Sequence, residues 1–216
     1  MKISGAIFDL DGTLLNSMYM WENIGRNYLI DLGISPDSDI NEKLKPLSLL
    51  QAAEYLRANY GIDKTNKEII AGVTAKIAHF YTCEVKPKDG ALNFVKSLRD
   101  KGVKMCIATA SDTGLVSAAL RLCGMDEFFE RIFTCTEVKS GKDSPKIYDT
   151  ALEFLGTKKS ETVIFEDAFH AAQTAKLAGY TVVGMYDDFE KENEEQMKRL
   201  TDKFIYSFDE LRGYFD

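Results

Sequence analysis

What this 216-residue chain lacks first is an excess of positive charge: 27 Lys plus Arg stand against 34 Asp plus Glu, a formal net charge of −7 at pH 7. Nucleic acids and anionic membrane surfaces select for a basic field, so neither is an expected partner. Long apolar runs are missing as well. None approaches the roughly 18 residues that a transmembrane helix needs. The opening Ile3-Ser4-Gly5-Ala6-Ile7-Phe8 shows no charged lead ahead of a cleavable apolar stretch, and the expectation is a soluble, cytoplasmic protein. Cysteine is sparse, and Cys83, Cys106, Cys123 and Cys135 form no C-x-x-C pair. That favours buried free thiols over a disulfide framework or a zinc site. What is present is ordinary globular material. Hydrophobic residues at 45% and charged residues at 28% exclude a disordered chain, and the length suits one domain, or one domain carrying an insert.

Apolar runs of strand length recur at Ile3–Phe8, Val103–Ala108, Arg131–Cys135, Thr162–Phe165 and Tyr180–Met185, with a weaker one at Lys203–Tyr206. Each is followed by a polar or glycine-containing turn, and segments of helical period lie between them at Gly90–Asp100, Thr113–Cys123, Ser144–Leu155 and Ala168–Ala178. Near-continuous apolar strands alternating with helices predict an α/β fold, a parallel sheet covered on both faces. Gly102, Gly124, Gly156 and Gly179 each follow a predicted helix, as helix stops do. From Ser17 to Lys86 the alternation is interrupted. That stretch has no convincing strand, but helical periodicity at Tyr19–Leu32, Leu47–Asn59 and Thr65–Cys83, which predicts an all-helical insert re-entering the core near Pro87. The expected division is a core of residues 1–16 and 87–216 interrupted by a helical unit of residues 17–86. The charged cluster Glu190–Arg199 reads as a solvated helix face.

The first strand runs out into Phe8-Asp9-Leu10-Asp11-Gly12-Thr13-Leu14. Side chains two apart on an extended chain share a face, so Asp9 and Asp11 can point into one site. Ligands of parallel α/β sheets gather beyond the carboxyl ends of the strands, where this acidic pair lies. Adjacent carboxylates repel unless a proton or cation intervenes, and a hard divalent ion such as Mg²⁺ is a natural solution. Other strand ends carry complementary groups. Thr109 and Ser111 offer hydroxyls and amides after the second core strand, although both are common in turns and caps. Lys139 and Lys142 follow the third, the latter just before a helix start. Glu166-Asp167 ends the fourth, either completing a cation site or forming a turn with Asp167 as helix cap. Together these are the parts required for Mg²⁺-assisted phosphoryl transfer.

The order Asp9-Leu10-Asp11-Gly12-Thr13-Leu14, then Thr109, then Lys142 with Pro145 and Tyr148, then Glu166-Asp167 resembles the four motifs of the haloacid dehalogenase superfamily of phosphatases. The helical insert after the first strand is similar to the cap of the subgroup containing phosphoglycolate phosphatases and β-phosphoglucomutase. The resemblance implies a Rossmann-like core and a covalent aspartyl-phosphate intermediate. By motif it makes Asp9 the nucleophile and Asp11 the acid and base. Thr109 becomes a hydrogen-bond donor to the transferring group, and Lys142, rather than Lys139, the cation that neutralises it. Ser111 is implied as a further substrate or phosphate contact. The implied Mg²⁺ ligands are Asp9, Asp11 through its carbonyl, and Asp167, with Glu166 contributing.

The chain departs from that pattern in its lysine motif, in its cap, and after the acidic pair, where Ala168 and Ala171 replace the Ser and Gly often found there. The usual Lys-Pro-x-Pro becomes Lys142-Asp143-Ser144-Pro145, with lysine and second proline still in step. In the cap, Trp21 and Leu49 stand at approximately the positions where β-phosphoglucomutase-like members carry a histidine and an arginine. Losing both favours hydrolysis of a small phosphate ester. A sugar phosphomutase, or a non-catalytic phosphate-binding or regulatory member, is the alternative. His79 on a predicted cap helix reads as a surface residue.

Overall fold

Gly5–Phe8 carries no polar side chain and is buried throughout, as an interior strand of a two-sided parallel sheet must be. The computed structural model describes residues 2–215. This strand, β1 (Gly5–Phe8), is followed by β2 (Leu15–Asn16), α1 (Met18–Asp31), α2 (Ile40–Leu44), α3 (Leu49–Tyr60), α4 (Asn66–Cys83) and β3 (Lys86–Pro87). The chain continues through α5 (Ala91–Asp100), β4 (Lys104–Thr109), α6 (Thr113–Leu122), β5 (Ile132–Thr134), α7 (Cys135–Val138) and α8 (Lys146–Leu155). It ends with β6 (Thr162–Glu166), α9 (Phe169–Leu177), β7 (Thr181–Met185), α10 (Glu194–Leu200) and β8 (Lys203–Ile205).

Six strands form one sheet in the order β5-β4-β1-β6-β7-β8, and every pair in it is parallel. The fold is Rossmann-like α/β. Chain direction across the sheet reverses at β1, which has β4 on one side and β6 on the other, so a crevice opens at the carboxyl end of β1. Register fixes what lies beneath that crevice. Ile7 pairs with Ile164 and Phe8 with Phe165, and alternation sends the two pairs to opposite faces. The Phe8 and Phe165 rings stack at 4.3 Å between centroids, with Phe94 and Phe208 packed edge-on or tilted around them. On the other face Ile7 and Ile164 pack with Tyr148, Ala151 and Leu155 of α8.

The described residues fall into two compact units. One comprises the chain up to Met18 together with that from Val85 onward, and the other is Tyr19–Glu84. The second is helical. Its helices α3 and α4 begin with reciprocal capping boxes, Ser48 with Gln51 and Thr65 with Glu68, and α3 ends at Gly61 in the left-handed conformation. Within this unit the Tyr28 ring lies over Gly72, where a Cβ would stand 2.6 Å from it, and the Trp21 indole donates to the Tyr81 hydroxyl at 2.9 Å. No helix is long and apolar enough to cross a membrane among the described residues.

Three local expectations are corrected. The run Arg131–Cys135 is a strand only to Thr134, whose side chain accepts from the Glu137 amide and turns Cys135 into the first residue of α7. The free cysteines are not uniformly buried: Cys106 is, Cys123 and Cys135 are half-buried, and Cys83 is exposed. The segment Glu190–Arg199 is not one solvated face, since residues Asp188–Asn193 form a 3-10 turn and α10 buries Met197.

Candidate active site

The carboxyl ends of β1 and β6 deliver acids to one buried place because their ladder continues one residue beyond β1, through the Asp9 amide bonded to the Phe165 carbonyl at 2.9 Å. Asp9 therefore stays on the face of Ile7, and Glu166 on that of Ile164. Asp9, Glu166 and Asp167 are all nearly excluded from solvent, and each offers one carboxylate oxygen within 4.8 Å of the others. Lys142, from the loop before α8, enters this cluster. Its ammonium donates to Asp9 Oδ1 and, at 2.8 Å, to Glu166 Oε2. Lys139 does not enter it. That residue is exposed and ends α7 with φ 52°.

Burial pushes the Asp9 carboxyl up to about 7 against the pull of Lys142, with Glu166 and Asp11 adding to the rise. Burial again, helped by Asp9 and Glu166, holds Asp167 well above the usual carboxylate range. Burial alone would lower the Lys142 ammonium, but the charges of Asp9 and Glu166 outweigh it and raise it well above its ordinary value. Lys142 is thus held as a cation among three buried acids. One ammonium cannot balance all three in their ionised forms, and all the offered donors are oxygen, which is the chemistry that suits a hard cation such as Mg²⁺. The donor set fits the metal implied by the sequence.

Asp11 belongs to a separate arrangement. Its Oδ1 accepts from the Ser17 hydroxyl and its Oδ2 from the Ser111 hydroxyl, both at 2.6 Å. The carboxylate is directed by serines while the backbone turns away at Gly12. That residue has φ +86°, and a Cβ there would stand 2.1 Å from Asp167 Oδ2, so glycine is required both for the turn and for the close approach. Thr109, buried at the end of β4, accepts from the Ser111 amide at 3.1 Å, which ties the second hydroxyl motif to the acid held by Ser111.

Three polar partners were not singled out from sequence. The Thr13 hydroxyl donates to Asp167 Oδ1 at 2.9 Å, Ser17 holds Asp11, and the Tyr148 phenol donates to Glu166 Oε2 at 3.0 Å. Thr13 and Tyr148 lie inside the motifs, which was the available signal. Ser17 carries none, because its role depends on a turn that returns it to Asp11. In the helical unit, His79 is exposed beside Glu84 at 3.2 Å, and Leu49 is exposed.

The sequence matches the haloacid dehalogenase-like hydrolase family over residues 6–185. It is 29% identical over 193 residues to pyrophosphatase PpaX of Halalkalibacterium halodurans, covering 83% of this chain and 81% of that one. To hexitol phosphatase A of Escherichia coli it is 28% identical over 188 residues, covering 86% and 84% respectively. Among solved structures, a Thermotoga maritima protein assigned as a β-phosphoglucomutase superposes with TM-score 0.85 at 20% identity, over 99% of this chain and 98% of that one. CbbY from Rhodobacter sphaeroides, solved with phosphate, superposes with TM-score 0.74 at 22% identity, over 97% and 96%. These structural likenesses concern the fold.

Proposed function

Since the chain belongs to the haloacid dehalogenase-like hydrolase family and is a phosphomonoester hydrolase within it, we propose that it hydrolyses a small phosphorylated metabolite in a Mg²⁺-dependent reaction through an aspartyl-phosphate at Asp9. The observation that carries this reading is the buried Asp9 carboxylate in direct contact with the Lys142 ammonium, beside Glu166 and Asp167. Asp9, Asp167 and the Asp11 carbonyl, with Glu166 contributing, would hold the Mg²⁺, whose charge would offset repulsion between the nucleophile and a substrate dianion.

The residues then divide the work. Asp9 attacks phosphorus as an ionised carboxylate, forming a new P–O bond while the ester P–O bond breaks. Asp11 gives its proton to the departing alkoxide. It then takes a proton from water, which attacks the phosphoaspartate, releases inorganic phosphate and restores the Asp9 carboxylate. Lys142 neutralises the phosphoryl oxygens and restrains Asp9, and Thr109 donates a hydrogen bond to the transferring group. Ser111, with Ser17, directs Asp11, and its amide bond to the Thr109 hydroxyl supports it as a further contact to the phosphate. We assign substrate choice to the inserted helical unit, residues 17–86 by the sequence reading, acting as a cap.

The test is phosphate release from a panel of sugar phosphates, sugar-alcohol phosphates, nucleotides and phosphoglycolate, with Mg²⁺ and with a chelator. The hexitol phosphatase relative puts polyol phosphates first in that panel. Expected is metal-dependent release from at least one member, lost by about 10³-fold or more in Asp9→Asn. Release that persists in Asp9→Asn sinks the assignment of the nucleophile, and an isomerised sugar phosphate in place of inorganic phosphate sinks hydrolysis.

A further inference from the structure

The proposed reaction makes no use of the most deeply buried phenol beside it. Tyr148 is 0% exposed, stands in the first turn of α8 and packs its ring among Ile7, Ile164 and Ala151, a setting that phenylalanine would fill equally well. A buried hydroxyl without a partner is costly, so its presence calls for an acceptor. The acceptor is Glu166 Oε2 at 3.0 Å, the same oxygen that takes the Lys142 ammonium at 2.8 Å. Among the described residues the other oxygen, Oε1, accepts only from the Ala168 amide at 3.4 Å, too long to fix the carboxylate.

Two donors converging on one oxygen set the rotation of the Glu166 carboxylate. That rotation in turn sets where the Lys142 ammonium rests between Glu166 and Asp9. We propose that Tyr148 is a positioning residue for the reaction, its hydroxyl locking Glu166 so that Lys142 is aimed at Asp9 and at the phosphoryl group Asp9 receives. The inference rests on the functional reading above, because it assigns Tyr148 a part in the chemistry of Asp9. It follows from register: Asp9 and Glu166 lie on the sheet face against which α8 packs, so a residue in the first turn of that helix can reach them from beneath.

Tyr148→Phe removes one oxygen and keeps the ring. Expected with p-nitrophenyl phosphate at saturating Mg²⁺ is a kcat about tenfold lower, in line with outer partners of catalytic groups, while KM stays within about twofold. The thermal midpoint, followed by circular dichroism, stays near that of the parent protein. In a Glu166→Ala background, where the phenol has no carboxylate to hold, Tyr148→Phe should produce no additional loss of kcat. A crystal structure of Tyr148→Phe should show the Glu166 carboxylate turned from its place against Lys142. The proposal is overturned by parental kcat in Tyr148→Phe, by an equal fold-loss in both backgrounds, or by an unmoved Glu166. Failure of the parent reading looks different: the unsubstituted protein releases no phosphate, or Asp9→Asn retains activity, and Tyr148 then loses its role as well.

Discussion

Asp9 and Asp167 are buried acids whose protonation changes on folding. Burial raises Asp9 from 3.8 to about 7 and holds Asp167 well above 3.8, so the folded, metal-free protein binds more protons than the unfolded chain between those values. For acids with raised folded pKa the associated stability is fully present below the unfolded value and is lost as pH rises through the folded one. Metal-free protein should therefore lose thermal stability as pH climbs from about 4 toward 7 and above, whereas a divalent cation, which favours the ionised carboxylates, removes that loss. Melting curves in a chelator and in Mg²⁺ from about pH 5 to about pH 8 check this. The gap between the two midpoints should widen with pH, and a constant gap would rule out these carboxylates as the metal-linked groups. At this scale the acids were legible because they end strands, and strand ends of a parallel sheet converge. Lys142 was legible through the motif it shares with Pro145 and Tyr148, since its place before a helix did not by itself separate it from a surface lysine. The Thr13 contact with Asp167 spans 154 positions, and no periodicity reports which hydroxyl meets which carboxylate across such a distance.

Short elements carry what the strand-and-helix alternation could not show. β2 and β3 are two residues each and pair antiparallel, Leu15 with Pro87 and Asn16 with Lys86, below the length at which alternation in a sequence is detectable. The segment after β3 is fastened to the core by Lys88. Its amide donates to the Leu14 carbonyl at 2.8 Å, and its ammonium donates to the Tyr186 carbonyl at 3.0 Å and to Asp187 Oδ2 at 2.7 Å. Both side chains are largely buried, at 13% and 6% exposure, and Asp187 Oδ1 also accepts from the Phe189 amide at 2.9 Å. Removing one member of such a pair strands a charge, which costs far more than replacing both. Lys88→Met should lower stability by about 3 kcal/mol, visible as a fall of roughly 6–12 °C in the thermal midpoint. Lys88→Met combined with Asp187→Asn, which keeps an oxygen for the Phe189 amide, should recover part of that fall. A single variant no less stable than the double would show that the pair does not hold the segment. The long elements were legible for the converse reason: β1, β4, β6 and β7 are almost continuously buried, and a strand covered on both faces reads as an unbroken apolar run.

For the whole molecule, the question is whether the helical unit is an insertion that the core can do without. Both chain crossings into Tyr19–Glu84 leave from the β2–β3 pair, whose paired Cα atoms stand about 5 Å apart in any antiparallel ladder. A few residues can close that gap as a hairpin loop, and loop closure of that length is inexpensive. The sheet, its two apolar faces and the cluster Asp9, Lys142, Glu166 and Asp167 are all drawn from the other unit. Replacing residues 19–84 by a short Gly/Ser linker should therefore leave a protein that unfolds in one cooperative transition and still hydrolyses p-nitrophenyl phosphate in Mg²⁺. What it should lose is discrimination: the spread of kcat/KM across the phosphate-ester panel should narrow about tenfold or more, since each lost pocket contact is worth about that much. A core that cannot fold without the helices would show that the two units are one folding unit. A core that folds and keeps its full selectivity would place substrate recognition on the strand-end loops and remove it from the helices.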